Sequence, residues 1–363
     1  MSEYDLLICC GSILIINEIS NSYSSTNNIR GVNMKTLVTG ATGLIGSSLV
    51  RELQKDGKEV KVLIREKSDT SLIDGLDLER CYGDIRNGDS VKRALEGCDT
   101  FYQTAALYAT WVPDKKLLYD INVEGTKTAL NAALEKGVEK VVYTSSVASI
   151  GPQGADKEAN EESEFTLQNS GEHYCISKYL GEIEAKKICE RGLPVVIVNP
   201  AGVIGVRDIK PTPTGQIIVN LLNKKLPGYL DGGMNMVDVE DVARGHILAA
   251  QHGRVGERYI LGNENMTLKV YFNLVCEVAG IKPPTMNIPG TVAIAAAYFY
   301  QFISKLTGRP PLMTVPLARL GASYSYYDVS KAVNELGLPR TPIKETIGKA
   351  VNWFRENGYV KAG

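Results

Sequence analysis

The sequence predicts an α/β fold in which a doubly wound parallel sheet is followed by a smaller, mostly helical lobe. Apolar strands alternate with helices from Met34 onward, and a glycine-rich turn separates the first strand from the first helix. The alternation stops after Asn199 and Pro200. Near-continuous apolar strands joined by helices indicate a parallel sheet that is covered on both faces.

Each element is predicted from its own residues. The strands are short runs rich in Val, Ile, Thr and Tyr, whereas the helices carry apolar residues at helical spacing. In chain order, we predict strands at 35–39, 60–64, 100–104, 140–144 and 195–198, and helices at 44–55, 90–96, 117–136 and 173–191. Right-handed crossovers between such strands give the Rossmann topology.

After residue 200, Pro and Gly residues punctuate a loop-rich stretch. A helix at 237–251 and a strand at 259–261 are predicted to return the chain to the main sheet, and the chain is mostly helical from Thr267 onward. We therefore expect a Rossmann domain over 34–200, completed by about 237–262. A substrate-binding lobe is expected over 201–236 and 263–363.

Residues 1–33 do not share this pattern. The apolar stretch 6–19 is preceded by Glu3 and Asp5 instead of basic residues, which argues against a signal peptide, and it is too short to span a bilayer. We expect a dispensable extension, with a peripheral membrane anchor as the alternative.

Charge and cysteine usage narrow the class of protein further. The net charge of −1 gives no overall attraction to nucleic acid or to anionic membranes. Seven scattered cysteines form no CxxC pair, and the chain has only three histidines. This predicts a cytoplasmic protein with reduced thiols, no structural metal, no nucleic-acid partner and no membrane association. Cys175 is expected to pack as a small buried side chain.

An uncharged run at 292–303 contains four aromatic residues. It is shorter than the ~20 residues that a transmembrane helix needs. We predict a buried or partly buried helix of the lobe. A hydrophobic mouth for a lipid-like substrate, or a membrane-facing patch, is the alternative.

The glycine-rich turn predicts a phosphate-binding site. Glycines 40, 43 and 46 follow a strand directly and open a helix, as dinucleotide binding requires. Gly40 permits the tight turn, Gly43 admits the pyrophosphate, and Gly46 lets the helix pack closely. Backbone N–H groups and the helix dipole then hold the anion. The predicted contacts are Gly40, Thr42, Gly43, Leu44, Ile45 and Gly46.

The end of the second strand predicts which dinucleotide binds. An acidic residue there favours NAD, but this chain has Arg65, whose guanidinium suits a 2′-phosphate. NADP is therefore favoured, and Glu66 keeps NAD possible. Further predicted cofactor contacts are Asp84 and Ile85, which follow a third strand of the sheet whose bounds the sequence leaves open, and Ala105 and Ala106, which follow the strand at 100–104.

A YxxxK motif predicts the acid/base group. Tyr174 and Lys178 lie four residues apart and therefore share one face of a helix. A free phenol has a pKa of ~10, too high for efficient catalysis near neutral pH, and an adjacent ammonium lowers it. Reduction of a carbonyl needs such a proton donor beside the carbon that receives the hydride.

The strand before this helix ends in Thr144, Ser145 and Ser146, at the edge of the sheet where ligands bind. A serine hydroxyl there can bind the substrate oxygen. Ser146 is our choice, and Ser145 is the neighbour that could replace it. Asn122 either supports Lys178 or has a purely structural role.

Together, the TGATGLIG turn, the TSS strand end, the YxxxK helix and the Asn199–Pro200 pair resemble the extended short-chain dehydrogenase/reductase family of NAD-dependent epimerases and dehydratases. The likeness covers almost the whole chain from Met34. It implies a Ser146, Tyr174 and Lys178 triad, and a contact of Asn199, Pro200 and Val203 with the nicotinamide. It also implies a homodimer through a four-helix interface.

Two subgroups of this family fit. The Arg65 strand end and the lobe resemble dihydroflavonol 4-reductases, whereas stretches 198–215 and 236–242 resemble bacterial hopanoid-associated sugar epimerases more closely. Gln103 stands where many relatives have a histidine. The resemblance thus implies an oxidoreductase that acts on a hydrophobic ketone or alcohol, or an epimerase of a nucleotide sugar whose diphosphate Arg207 and Lys210 could hold. A non-catalytic, NADP-sensing regulator is a remote third reading.

Overall fold

The computed structural model describes residues 35–109, 111–154, 157–308, 311 and 313–360. The extension predicted at 1–33 lies outside the described residues and stays a prediction.

Seven parallel strands form the central sheet, in the order β3-β2-β1-β4-β5-β6-β10. This confirms the predicted α/β fold with a doubly wound parallel sheet. The strands are β1 (Lys35–Thr39), β2 (Val60–Ile64), β3 (Glu79–Tyr82), β4 (Cys98–Gln103), β5 (Lys140–Thr144), β6 (Val195–Pro200) and β10 (Arg258–Leu261).

The strand order reverses between β1 and β4, and this reversal locates the binding crevice. Thr39, at the end of β1, pairs with Leu63 of β2 on one side and with Gln103 of β4 on the other. The loops after β1 and β4 therefore leave the same edge of the sheet side by side. Ligands of open α/β sheets bind at such a switch point.

Helices cover both faces of the sheet. On one face α1 (Leu44–Lys55) packs against α6 (Val239–His252), and Leu49, Leu53 and Ile247 fill the core beneath them. On the other face α2, α3 and α4 bury Leu130 and Ile188. The helices are α1 (Leu44–Lys55), α2 (Gly88–Ala94), α3 (Lys116–Tyr119, Asp120–Gly125 and Thr126–Lys136), α4 (His173–Glu190) and α6 (Val239–His252).

The structure corrects two of the predicted helices. The middle segment of α3, Asp120–Gly125, is a π-helical turn, whereas the sequence predicts one regular helix over 117–136. The helix predicted at 237–251 begins later, at Val239, because a strand continues through Asp238. The Asp238 carboxylate accepts the backbone N–H of Glu240 at 2.7 Å, and this N-cap marks where the strand ends and the helix begins.

The lobe has its own small sheet, in which β9 pairs with β7, β11 and β13. Its core contains Tyr271, Phe272, Ile347 and Phe354. The strands are β7 (Gly202–Ile204), β8 (Gly228–Leu230), β9 (Gly233–Asp238), β11 (Glu264–Thr267), β12 (Met286–Ile288) and β13 (Tyr324–Ser325). The helices are α5 (Pro213–Leu222), α7 (Leu268–Ala279), α8 (Gly290–Thr307), α9 (Val315–Gly321) and α10 (Ile343–Glu356), with a π turn at Ala332–Leu336.

Helix α8 contains the uncharged run at 292–303. Its buried positions are small residues, Ala293 and Ala297, whereas Phe299 and Phe302 are about 60% exposed, at 61% and 59%. The helix is therefore partly buried, one of the two states predicted, and its large side chains lie on the exposed side. Among the described residues, no helix combines the length and the apolar character needed to cross a bilayer.

Candidate active site

The turn between β1 and α1 brings three backbone segments into contact. Gly40 has φ +71°, and a Cβ atom there would lie 2.7 Å from the backbone nitrogen of Ala105. A Cβ on Gly46 would lie 2.2 Å from the Gly40 oxygen, so glycine is required at both positions. Gly43 caps α1 without a side chain. The first N–H groups of α1 thus face a cradle that fits a pyrophosphate, bounded by Thr42, Leu44 and Ile45.

The predicted adenosine contacts lie at the ends of the neighbouring strands. Arg65 is exposed directly after β2. The carboxylate of Asp84 receives two bonds from the Arg86 guanidinium, at 3.0 and 2.8 Å, and this pairing holds the pKa of Asp84 below its usual value. Ile85 is buried behind it. Asp84 is therefore already paired, and its predicted contact with adenine stays a prediction.

The loop after β4 lies beside the glycine turn. Ala105 and Ala106 are small enough to let the backbone approach a ligand there, as predicted. Gln103 donates from Nε2 to the Ala105 oxygen at 3.0 Å, but its buried Oε1 has no hydrogen-bond partner within the described chain. An unpaired acceptor at the end of β4 is a position that a ligand donor or a water would satisfy.

Tyr174 and Lys178 lie one turn apart on α4, at the same edge of the sheet. Lys178 is buried, and its Nζ donates to the Thr144 oxygen at 2.8 Å. Its ammonium also lies 5.3 Å from the ring centroid of Tyr143. Burial lowers the pKa of Lys178 to about 8. The lysine is thus anchored to the end of β5 through a single backbone carbonyl.

Burial raises the pKa of Tyr174 above its ordinary value, and the nearby Ser146 hydroxyl only partly offsets this. The pKa of this phenol is therefore not lowered overall, and the expected effect of Lys178 on it stays a prediction. The desolvation of a buried phenolate is the larger effect. A raised pKa keeps Tyr174 protonated but also makes it a weaker acid, so efficient proton donation requires a lower pKa once the cofactor and substrate are bound.

The two adjacent serines have different surroundings. Ser145 is buried, and its hydroxyl donates to Oε2 of Glu182 at 2.7 Å. Ser146 is half-buried, caps the 3₁₀ turn Val147–Ser149 and lies close enough to Tyr174 to lower the pKa of its phenol slightly. Ser146 is therefore the serine placed to contact a substrate oxygen, whereas Ser145 belongs to the supporting structure.

Glu182 is the main site residue that the sequence analysis missed. It is 2% exposed, and its carboxylate accepts bonds from Ser145, Ser149 and Asn199 at 2.7–2.9 Å. Arg258 and Lys186 supply the compensating positive charges, each at 3.1 Å. The spacing could have revealed it, because residues 174, 178 and 182 follow one face of α4 at intervals of four.

Asn199 joins this network to the Ser146 turn. Its Nδ2 donates to the Ser146 oxygen at 3.0 Å as well as to Glu182. Pro200 follows at the end of β6, and Val203 lies in β7, where its oxygen accepts a bond from Thr214. The structure therefore gives Asn199 a role in positioning the turn, and the predicted contacts of these three residues with the nicotinamide stay predictions.

His246 on α6 supports Lys178 from the opposite face of the sheet. Its Nδ1 donates to the Val242 oxygen at 2.8 Å, so the neutral ring offers Nε2 as acceptor for the Thr144 hydroxyl at 2.8 Å. Burial lowers the pKa of His246 to about 4, which keeps the ring neutral. Thr144 therefore holds both groups, His246 through its hydroxyl and Lys178 through its carbonyl.

Asn122 has a structural role in the described contacts. It exchanges two hydrogen bonds with the backbone of Leu107 and donates to the Ser177 hydroxyl at 2.9 Å. The backbone carbonyl oxygen of Asn122 lies so close to α4 that a Cβ on Gly181 would approach it to 2.4 Å. Asn122 thereby fixes the loop after β4 against the helix that carries Tyr174.

Tyr108 partly covers the proposed catalytic tyrosine. Its ring centroid lies 4.7 Å from that of Tyr174, and the side chain is 48% exposed.

Cys175, next to Tyr174 in the sequence, is buried, and burial raises the pKa of its thiol, so it packs as an unreactive side chain. The described residues contain no cluster of side chains that could bind a metal ion.

A glycine cradle at the switch point, with a Tyr–Lys helix at the same edge, defines an enzyme of the extended short-chain dehydrogenase/reductase class. Comparison with known proteins agrees. The model of the NAD-dependent epimerase/dehydratase family matches residues 36–262, and the chain belongs to that family.

Individual relatives are similar over nearly the whole chain. A putative dihydroflavonol 4-reductase from Synechocystis is 39% identical, covering 89% of this chain and 95% of the relative. Sterol demethylase protein B from Methylococcus capsulatus is 35% identical, covering 90% of this chain and 100% of the relative. The crystal structure of gox2253 matches with a TM-score of 0.81 at 38% identity, covering 90% of this chain and 99% of that one.

Proposed function

We propose that the protein is an NADP(H)-dependent reductase that converts a hydrophobic ketone to the corresponding alcohol. The observation that carries this proposal is the arrangement at the sheet edge. Tyr174 and Lys178 lie one turn apart on α4, with Lys178 anchored to the end of β5, and Ser146 lies at the same edge of the sheet. Such an arrangement donates a proton to a carbonyl oxygen that lies between the serine and the tyrosine.

In this mechanism Ser146 binds the substrate carbonyl and Tyr174 gives up its phenolic proton to the carbonyl oxygen. The carbonyl carbon gains a hydride in the same step, so the C=O group becomes a secondary alcohol. When bound, the reduced nicotinamide supplies that hydride and is itself oxidised. Lys178 then stabilises the phenolate that Tyr174 becomes, until a proton from solvent restores the phenol.

The residues around the cradle fit a phosphorylated dinucleotide. The open start of α1 would hold the pyrophosphate, and the exposed guanidinium of Arg65 after β2 would supply the cation for the 2′-phosphate of NADP. Asp84 is neutralised by Arg86, so no unpaired carboxylate faces that phosphate from β3. These features support NADP over NAD.

A hydrophobic substrate is supported by the lobe. The carboxylate of Asp208 is buried at the start of α5 and accepts the Thr212 N–H at 2.9 Å, while the Thr214 hydroxyl donates to the Val203 oxygen. The loop of Arg207 and Lys210 could hold a diphosphate, but its threonine hydroxyls already donate hydrogen bonds within the protein. The carboxylate of Asp208 at its centre would also repel an anion. The relatives named for a sterol and for a dihydroflavonol also favour an apolar ring substrate.

The decisive experiment measures Tyr174→Phe against Tyr179→Phe, two changes on the same helix. We expect the first to lower kcat by at least about 10²-fold, the usual contribution of a general acid. Tyr179 stacks on Phe165 away from the site, so its variant should keep nearly full activity. Equal activity of both variants with a ketone such as a dihydroflavonol would contradict the mechanism.

The cofactor preference is tested in the same assay with Arg65→Gln. We expect the ratio of kcat/KM for NADPH over NADH to fall by about 10-fold or more, because one charged contact with the phosphate is lost. Lys67→Gln, two residues along the same exposed segment, is the control. An unchanged ratio in Arg65→Gln would rule out this role.

Epimerisation of a nucleotide sugar is the second candidate, and Arg207 favours it. The residue has φ +69°, a strained backbone for a side chain of this size, and its buried Nε has no hydrogen-bond partner within the described chain. Its guanidinium otherwise contacts Glu240 at 3.3 Å. An anionic ligand would satisfy that nitrogen. Stoichiometric loss of the reduced-nicotinamide absorbance separates the reductase from an epimerase, which retains its cofactor.

A further inference from the structure

We propose that helix α8 docks the protein onto an anionic membrane surface, lying along it without crossing it. The docking face consists of Val292, Phe299, Phe302, Ile303 and Leu306, which are 38–69% exposed. This face lies outside the catalytic machinery and goes beyond the proposed reduction.

The amphipathic pattern of α8 is reversed with respect to the protein core. The side that packs against α9 carries Ala293 and Ala297, which form a small cluster with Val315 and Ala318. Val292, Phe299, Phe302, Ile303 and Leu306 lie on the opposite side, and the exposed Ala295 fills the turn between Val292 and Phe299, so the apolar stripe is continuous. Water-exposed stripes of this kind indicate a binding surface.

Charge selects a membrane as the occupant. No Asp or Glu occurs between Glu277 and Asp328, whereas that stretch contains four cations, at positions 282, 305, 309 and 319. Although the whole chain has a net charge of −1, the apolar stripe lies within a stretch of the sequence that contains positive residues and no negative ones. Phe and Leu on one face with nearby Lys and Arg are typical of helices that lie in the headgroup region of anionic bilayers.

Aromatic residues with polar ends border the stripe. Tyr298 is 56% exposed, and its hydroxyl accepts a bond from Arg319 of α9 at 3.4 Å. A tyrosine beside an arginine suits the boundary between acyl chains and headgroups. The prediction of no membrane association rested on the net charge and on apolar runs too short to cross a bilayer, and neither argument excludes a helix that lies along the surface.

The docking face is linked to the active site along the chain. Helix α9 leads into β13, and Tyr327, two residues later, donates its hydroxyl to the Val147 oxygen at 3.3 Å. Val147 follows Ser146 directly. The segment that follows the docking face therefore contacts the turn that carries Ser146.

The experiment is flotation of the full chain with vesicles of phosphatidylglycerol and phosphatidylcholine in equal parts, and with phosphatidylcholine alone. We expect binding to the anionic vesicles, weakened by added salt. The double variant Phe299→Ser/Phe302→Ser should lower the bound fraction by at least about 10-fold. Val255→Ser/Val270→Ser removes exposed apolar side chains elsewhere and should bind like the wild type.

A second measurement reports the depth of insertion. In a Phe299→Trp variant, the tryptophan emission should shift to shorter wavelength with anionic vesicles, after subtraction of the wild-type signal from Trp111 and Trp353. Reduction of a water-soluble ketone should be unchanged in every α8 variant, so a failure of docking is distinguishable from a failure of the proposed chemistry. Three results would overturn the proposal: no flotation of the wild type, equal flotation of the Phe299→Ser/Phe302→Ser variant, or a dimer in solution that this variant dissociates.

Discussion

Single buried polar side chains determine the geometry of the site. Glu182 connects the Ser146 turn, β6 and β10 through Ser149, Asn199 and Arg258. Because a buried carboxylate is costly unless it is fully paired, each of these partners is needed for the others to be stable. The network explains why Ser146 holds one position beside Tyr174.

His246 predicts how stability depends on pH. Its pKa is lowered to about 4 in the folded protein, against ~6.5 for a free histidine, so the unfolded chain binds a proton first as the pH falls. The stabilisation is complete above about pH 6.5 and is lost as the pH falls toward 4. We expect this histidine to cost the protein about 2 kcal/mol of unfolding free energy between pH 7.5 and pH 5.

The measurement is urea unfolding of the wild type and His246→Gln at those two pH values. Glu172 and Asp208 have pKa values raised by burial to about 7 and about 6, and they act in the opposite direction, so the quantity compared is the difference between the two proteins. His252→Gln, at the end of the same helix, is the control and should follow the wild type. Parallel pH dependence of the wild type and His246→Gln would refute the prediction.

Among the individual residues of the candidate site, those that belong to local motifs could be predicted from the sequence. Tyr174, Lys178 and the three glycines are recognisable because their spacing within one element carries the chemistry. Arg258 and His246 were not recognisable, because they reach the site from strands and helices far along the chain. The direction of the pKa shift of Tyr174 also could not be predicted from the sequence, because it depends on burial and not on spacing.

Among the elements, the β1–α1 turn leaves no room for a larger residue. In Gly46→Ala the new Cβ would meet the backbone oxygen of Gly40 at 2.2 Å, and backbone cannot move aside as a side chain can. We expect a loss of about 3 kcal/mol in the free energy of unfolding, together with weaker binding of the dinucleotide cofactor. Denaturant unfolding and a binding titration measure both effects.

Gly348→Ala is the matched control, because this glycine also lies in a helix. Its nearest atom to a new Cβ is 4.0 Å away, so the alanine fits without strain. The higher helix propensity of alanine should stabilise α10 by up to about 1 kcal/mol. Destabilisation of both variants to the same extent would show that close packing at Gly46 is not the cause.

Regular elements were predicted well, and irregular ones were not. The bounds of β1, α1, β2 and β5 agree with the sequence prediction because each is an uninterrupted apolar or amphipathic run. The π turn in α3 was missed, since it depends on the fit of Asn122 between Leu107 and Ser177. The strands of the lobe were missed because they are only two to six residues long and pair across distant parts of the chain.

For the whole molecule, residues beyond 200 complete the core of the main sheet. β10 pairs with β6 along Arg258–Leu261, and α6 covers α1. A chain that ends at Pro200 would leave β6 as an open edge and expose the apolar surface under α6. We expect this fragment to aggregate, whereas a chain that starts at Met34 should melt like the full protein. A soluble 1–200 fragment with a cooperative melting transition would contradict this prediction.

The late arrival of β10 also has a consequence during translation. At about 5–20 residues per second, the ribosome needs roughly 3–12 s to proceed from Pro200 to Arg258. Throughout that interval the nascent chain presents β6, which is fully buried in the native protein, without a neighbour on one side. Chaperones that shield hydrophobic nascent segments should therefore matter most for this protein after its proposed catalytic residues have already been synthesised.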